Sequence, residues 1–447
     1  MFTKLRQFRL LIGALLLGLT LVSCQSAKPE LKAPEAAPEL LRFNDRDQNE
    51  HLAPHMAMPE ALVTEQLELR KEQLSLQNEN QPLVMAHYFP WYQTPEVHGY
   101  WGVHWRMNTC DPEQIDAEGK RDICSHYYPI IGPYDSLDPD LLEYHILLMK
   151  LSGIDGIIVD FYGAQNFYDW PVLREASDTI LEAFNAAGLK VAIMYIDQTL
   201  QIAENNGLIT DPAAAASADL AYIEEHYFAL ENYLQVDGEP LLLDYGPVYL
   251  QSATNWQSAY AGLASNPDLA SLGYVDGFSS TTFPWIEWPE WQNYIPNYYA
   301  WVNWKGFDLA IGSAYFGFHD YYNEGGWGNS LYYLDDLDGE RFGQYLAENA
   351  QYNPDIIQLA TWNGFVEGTM LEPTLETGYQ YLQDLQDFTG VPYSVSDLEL
   401  VTQIYKLRKA VGTGQNLQSS LSSIRFALEQ GNTLQANKMM QSLKFSK

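Results

Sequence analysis

The chain has 447 residues, 47% of them hydrophobic and 14% aromatic, which excludes a wholly disordered protein. Its 58 acidic against 24 basic side chains leave a formal charge of −34, a surface that repels phosphate backbones, so no nucleic acid is expected as a partner. The 12 Trp and 31 Tyr point instead to a ligand that stacks on rings, and no run after residue 23 is apolar for long enough to span a bilayer.

Lys4, Arg6 and Arg9 precede an apolar run from residue 10 to 22, the layout of an export signal that is too short for a full membrane span. Leu21-Val22-Ser23-Cys24 resembles the bacterial lipobox, which implies a signal peptide over 1–23 and a diacylated Cys24. Gln25 after the cysteine favours the outer membrane, so the chain is expected in the cell envelope, meeting the membrane through its lipid anchor only. Residues 24–58 are rich in Pro, Ala, Glu and Lys and read as a disordered tether.

Leucines at helical spacing predict a helix over 60–76. Beyond residue 80, apolar runs at 83–88, 156–161, 191–196, 241–245, 274–279, 309–314 and 356–361 alternate with helical stretches, notably 140–151 and 173–187. Continuous apolar strands between helices predict a parallel sheet covered on both faces. Seven of them favour an α/β fold of the (β/α)8 TIM-barrel type over residues 59–390, the eighth strand being unplaced. No Gly-x-Gly-x-x-Gly or phosphate loop follows the first strand, against a nucleotide-binding doubly wound sheet. From residue 391 to 447, Leu, Ile and Met at three- and four-residue steps predict a C-terminal helical hairpin, turning near Gly412 to Gly414 or at Gly431.

Cys110 and Cys124 read as one disulfide pinning a surface loop, worth about 2–3 kcal/mol on chain-entropy grounds. There is no Cys-x-x-Cys or His-Glu-x-x-His pattern, and neither a metal nor a cofactor is expected.

In such a barrel, chemistry gathers at the C-terminal ends of the strands. Those ends read His87-Tyr88-Phe89-Pro90-Trp91-Tyr92, Asp160-Phe161-Tyr162, Tyr195-Ile196-Asp197, Asp244-Tyr245, and Trp362-Asn363 followed by Glu367. A single Asp there is more often the cap of the next helix. Carboxylates that move protons, gathered with rings that bind the C–H faces of sugars, are what glycoside hydrolysis needs. Trp285, Trp288, Trp291, Trp301 and Trp304 crowd one region, part sugar platform and part core.

The stretch Thr361-Trp362-Asn363-Gly364-Phe365-Val366-Glu367-Gly368-Thr369-Met370-Leu371-Glu372-Pro373 resembles the strand-end signature of the glycoside hydrolase family 99 and family 71 group. The first holds endo-α-mannosidases and endo-α-mannanases, the second α-1,3-glucanases; the family 99 motif runs Asn-Glu-x-x-Glu-Gly-Thr-x-x-Glu-Pro. Upstream, the similarity takes in residues 87–92, Gly99-Tyr100-Trp101, Tyr128-Pro129, Gly132-Pro133-Tyr134-Asp135-Ser136, His145, Met149-Lys150 and Gly153-Ile154-Asp155-Gly156, roughly residues 82–385 in all. The resemblance implies a (β/α)8 barrel, a glycan substrate of α-mannan or α-glucan type, and Glu367 as the acid/base that protonates the leaving oxygen and then activates water.

One position departs from that pattern. Where family 99 carries a glutamate thought to deprotonate the sugar 2-hydroxyl, and the glucanases an aspartate, this chain has Gly364. Retaining and inverting schemes both need a second carboxylate, roughly 5–5.5 or 6.5–9.5 Å from the first. Another strand-end acid is expected to supply it, Asp160 and Asp197 first, with Asp244 or Asp320 behind. The alternatives are substrate assistance, or a degenerate surface lipoprotein that binds glycan without cleaving it. The expected substrate contacts are His87, Tyr88, Trp91, Tyr92, Tyr134, Tyr195, Asp244, Tyr245, His319, Asp320, Trp362, Asn363 and Glu372. Nothing in the sequence fixes an oligomeric state.

Overall fold

Short β-branched and leucine-rich runs set the frame. In the computed structural model, which describes residues 58–74, 81–288, 293–410 and 415–444, they form eight strands. These are β1 Leu83–Tyr88, β2 Gly156–Phe161, β3 Lys190–Tyr195, β4 Glu239–Asp244, β5 Asp268–Ser271, β6 Thr281–Thr282, β7 Ile311–Ala314 and β8 Ile356–Leu359. The signal segment, Cys24, the tether up to residue 57, Trp291 and the turn at 412–414 lie outside the described residues.

All ladders between these strands are parallel, in the order β6-β5-β4-β3-β2-β1-β8-β7. Both faces are buried, which is why the strands read as unbroken apolar runs rather than alternating ones. The remaining seam, between β6 and β7, is bridged by side chains. The Tyr298 hydroxyl accepts the Ile311 N–H at 2.8 Å and donates to the Thr282 carbonyl at 3.1 Å, and Thr281 Oγ1 donates to the Leu309 carbonyl at 2.7 Å. Tyr298 belongs to the helix Tyr294–Lys305 that joins the two strands.

Two elements differ from the sequence expectation. The run 274–279 is a turn, closed by Phe278 N–H on the Val275 carbonyl at 3.1 Å, and Ser279 Oγ accepts the Val275 N–H at 3.1 Å. Its apolar residues mimic a strand because Val275 and Phe278 pack inward. The real strands, β5 and β6, flank it, and the unplaced eighth strand is the two-residue β6. The C-terminal extension is three helices, Val395–Ala410, Gln415–Glu429 and Thr433–Lys444, rather than the two of a hairpin. The first docks on helix Pro139–Leu151, where Arg408 reaches both oxygens of Glu143 at 2.9 and 3.0 Å.

Register decides which strand residues look inward. Tyr88 lies beside Val159, and Phe161, Tyr195 and Asp244 lie side by side across β2, β3 and β4. Neighbours in parallel register share a face, and successive residues alternate. His87 and Asp160 therefore face the barrel axis, while Tyr88, Phe161, Tyr195 and Asp244 face the helices.

Candidate active site

At the mouth of β1 and β2, His87 and Asp160 are 1% and 3% exposed, and His87 Nε2 pairs closely with Asp160 Oδ1. The other Asp160 oxygen accepts the Tyr162 hydroxyl at 2.8 Å, and that hydroxyl accepts the Trp91 indole N–H at 2.7 Å. Each oxygen of the buried Asp160 carboxyl thus has a hydrogen-bonding partner. The His87 ring meets Trp285 edge-on at 4.8 Å, and Trp285 meets Tyr245 at 5.2 Å.

Across the mouth, the segment after β8 is fastened to β1 before it presents its glutamate. The Asn363 amide accepts the Phe89 N–H at 2.8 Å and donates to the Phe89 carbonyl at 2.9 Å. The Tyr92 hydroxyl donates to the Asn363 carbonyl at 2.7 Å and accepts the Phe365 N–H at 3.2 Å. Gly368, at φ +61°, closes the turn where a Cβ would run into the His319 carbonyl. Glu367 is left 9% exposed, its Oε1 accepting the Tyr322 hydroxyl at 2.8 Å.

Burial pushes the Tyr162 and Tyr245 phenols well above their ordinary range, and the charges of both Asp160 and Glu367 raise each of them further. A row of rings runs between the two sides: Phe89 stacks on Trp91 at 3.8 Å and Trp91 on His104 at 4.5 Å. Trp327 then meets His104 edge-on at 5.5 Å and lies parallel to Tyr322 at 6.4 Å. Tyr245, Trp285, Tyr322, Trp327 and Tyr332 remain partly exposed. Among the described residues, no three His, Cys, Asp or Glu side chains are grouped as a metal centre.

Residues 79–265, which carry β1 to β4 with His87, Asp160 and Tyr162, match the family model described as Glycosyl hydrolase family 99. This segment is similar to glycosyl hydrolase family 99 domains. The barrel is similar to that of the GH99 endo-alpha-mannosidase from Bacteroides thetaiotaomicron, with a TM-score of 0.53 at 18% identity, covering 70% of this chain and 98% of that one. The (β/α)8 architecture expected from the strand pattern is therefore the family 99 fold. In sequence, the Mus musculus glycoprotein endo-alpha-1,2-mannosidase-like protein is 33% identical over 87 residues, 17% of this chain and 19% of that protein. The Mus musculus glycoprotein endo-alpha-1,2-mannosidase is 30% identical over 119 residues, 24% of this chain and 25% of that protein. The chain thus spans a fifth to a quarter of the length of these relatives.

At the departure from the family 99 motif, Gly364 is packed rather than vacant. A Cβ there would stand 2.6 Å from Thr361 Oγ1 and 3.0 Å from the Phe89 ring, and closer still to Thr369 Oγ1. The two threonine hydroxyls bond each other at 3.0 Å, and the Gly364 N–H donates to Thr361 Oγ1 at 2.9 Å.

Several expected substrate contacts face elsewhere, and alternation along the strands is the main reason. Tyr88 bonds His145 Nδ1 at 2.8 Å on the helix side of the sheet. Tyr195 donates to Asp219 at 2.7 Å, and Asp244 is fully buried with neither oxygen hydrogen-bonded. Tyr92, Tyr134, Trp362, Asn363 and Glu372 form the layer beneath the turn. Tyr134 donates to Glu372 at 2.6 Å, and the other Glu372 oxygen lies 3.3 Å from His145 Nε2 without hydrogen-bond geometry. Trp362 is buried edge-on to His145 at 5.3 Å.

Asp197 and Asp320 are loop anchors. Asp197 accepts the N–H groups of Val248, Tyr249 and Leu250 at 2.8, 2.7 and 2.8 Å. Asp320 accepts those of Tyr322 and Leu331 at 3.0 and 2.9 Å. His319 stacks on His126 at 3.7 Å, beside the turn rather than over the acids. Of the four candidate second acids, Asp160 is the one aimed along the axis.

Of the tryptophan group, Trp285 meets the His87 ring, Trp288 packs on Tyr332 at 4.4 Å, Trp301 is buried, and Trp304 stands on the outer surface beside Lys305. Tyr162, Phe89, His104, Trp327 and Tyr332 were not among the expected contacts, whereas Tyr322 follows His319 and Asp320 in a loop expected to reach substrate. The same-face spacing from Asp160 to Tyr162 was a usable signal for the first; Trp327 comes from an irregular stretch that has none.

Proposed function

We propose that this chain hydrolyses an α-linked glycan of the mannan or glucan type, with Glu367 as general acid/base and Asp160 as the second carboxylate. The observation that carries the reading is the chain of contacts that runs from Asp160 through Tyr162, Trp91, His104, Trp327 and Tyr322 to Glu367. In the first step Glu367 gives its proton to the glycosidic oxygen as the bond to the anomeric carbon breaks. Asp160, held by His87 and Tyr162, meets the cationic anomeric centre directly or through a water it deprotonates. Where Asp160 bonds to the sugar, Glu367 then takes a proton from the incoming water and both acids are restored. The relatives' names, endo-alpha-mannosidase among them, favour an α-mannoside over an α-glucoside.

The test is reducing-end release from α-mannan and α-glucan panels by wild type, Glu367→Gln and Asp160→Asn. Each variant is expected to lose at least about 100-fold. Turnover equal to wild type in Glu367→Gln removes that residue from the mechanism.

Gly364 favours a second reading, a glycan-binding protein without hydrolysis, because the motif's own second acid is replaced. Tight binding with no reducing ends released from any bound glycan supports it. In either case the first twenty-four residues support an exported chain, lipid-anchored at Cys24 and facing envelope or external glycans. Palmitate labelling that persists in Cys24→Ala would remove the anchor.

A further inference from the structure

The segment from Met107 to His126 bonds to the backbone of both segments that carry the Tyr322–Glu367 hydrogen bond. On the Cys110 side, the Asn108 N–H donates to the Gly325 carbonyl at 2.9 Å and its side-chain amide to the Gly326 carbonyl at 2.9 Å. Thr109 Oγ1 donates to the Glu324 carbonyl at 2.8 Å. These grips hold the loop that carries Tyr322, whose carbonyl in turn accepts the Trp327 N–H at 2.8 Å. On the Cys124 side, Ser125 Oγ donates to the Phe365 carbonyl at 2.8 Å, two residues before Glu367, and His126 Nε2 lies 3.2 Å from the Asp320 carbonyl, two residues before Tyr322. The disulfide joins the two sides, with its Cα atoms 5.6 Å apart.

Asn108, Thr109 and Glu324 are exposed, so each grip alone competes with water. A covalent link across the loop removes the freedom that would let the two sides drift apart.

We propose that the Cys110–Cys124 disulfide, through Asn108, Thr109 and Ser125, is a brace that positions the Tyr322 hydroxyl on the Glu367 carboxyl. This rests on the reading of Glu367 as the acid/base. The cysteines and Thr109 are positioning residues that act through the loop carrying Tyr322. Reduction of the disulfide loosens the acid's partner while leaving the barrel closed.

Two measurements on the full chain test the brace. Hydrogen exchange of residues 320–327 is expected to quicken about tenfold or more in Cys110→Ala/Cys124→Ala and about three- to fivefold in Thr109→Val, with β1 and β2 unchanged. Thr109→Val keeps the test available if the double variant does not fold. On the glycan cleaved best, the disulfide-free variant is expected to lose about tenfold in kcat with KM within about twofold, and adding Tyr322→Phe costs nothing further. Unchanged exchange at 320–327 in both variants, a rise spread evenly over the barrel, or a full additive cost of Tyr322→Phe overturns the brace. If wild type releases no reducing ends from any glycan, the hydrolase reading falls, and exchange alone decides the brace.

Discussion

Asp160 and Asp244 end two strands of one barrel and differ by a single step of register. Asp160 on β2 faces the axis and takes a donor on each oxygen, from His87 and Tyr162. Asp244 on β4 faces the helices, next to Phe161 and Tyr195 in register, and takes no hydrogen bond on either oxygen. Burial pushes its carboxyl well above the ordinary range, and the Asp197 charge pushes it further. One side of a strand thus holds a hydrogen-bonded acid that faces the axis, and the other an acid in the wall whose carboxyl burial holds above the ordinary range. Strand-end position alone does not make an acid functional; the face it occupies does.

The same change at the two sites should part them most widely. Asp160→Asn is expected to cut glycan cleavage by at least about 100-fold, and Asp244→Asn to leave the rate within about twofold. Next in size is the packed glycine. Gly364→Glu forces a side chain between Thr361, Thr369 and Phe89, and is expected to lower unfolding stability by about 1–3 kcal/mol in denaturant melts with no gain of cleavage. A gain of cleavage there would show that the motif's own acid site is still usable.

The smallest effect is on pH dependence. The unfolded chain ionises Asp244 at the ordinary carboxyl value, while burial raises it in the folded chain. Stability present below that value is therefore lost as pH rises toward the raised folded one. Asp244→Asn should flatten this decline and raise Tm at pH 8 by about 1–2 °C, read by calorimetry from pH 4 to 8. A steeper decline in the variant would mean that Asp244 is ionised in the fold.

The long strands were legible because both faces are buried, so β1, β2 and β8 show as apolar runs of four to six residues. β5 and β6, of four and two residues, are too short to stand out, and Tyr298 supplies bonds that no ladder pattern announces. At the site, Glu367 was legible from its motif and Asp160 from its place. The face of each strand end was not, since strand limits shift by a residue between pattern and structure: 191–196 was expected and Lys190–Tyr195 is found. Grouping by strand end passes over the alternation of faces, which is why Tyr88, Tyr195 and Asp244 were grouped with His87 and Asp160. Gly364 read as a missing acid; only packing reveals the two threonine hydroxyls that occupy its surroundings.

The pairing of Asp160 with Glu367 is tested most directly by chemical rescue. The initial rate of α-mannan cleavage by Asp160→Ala is measured with and without sodium formate, a small carboxylate able to enter the emptied place. Very slow cleavage in plain buffer, restored in part by formate, is the expected result. Wild-type rates from Asp160→Ala in formate-free buffer would contradict it.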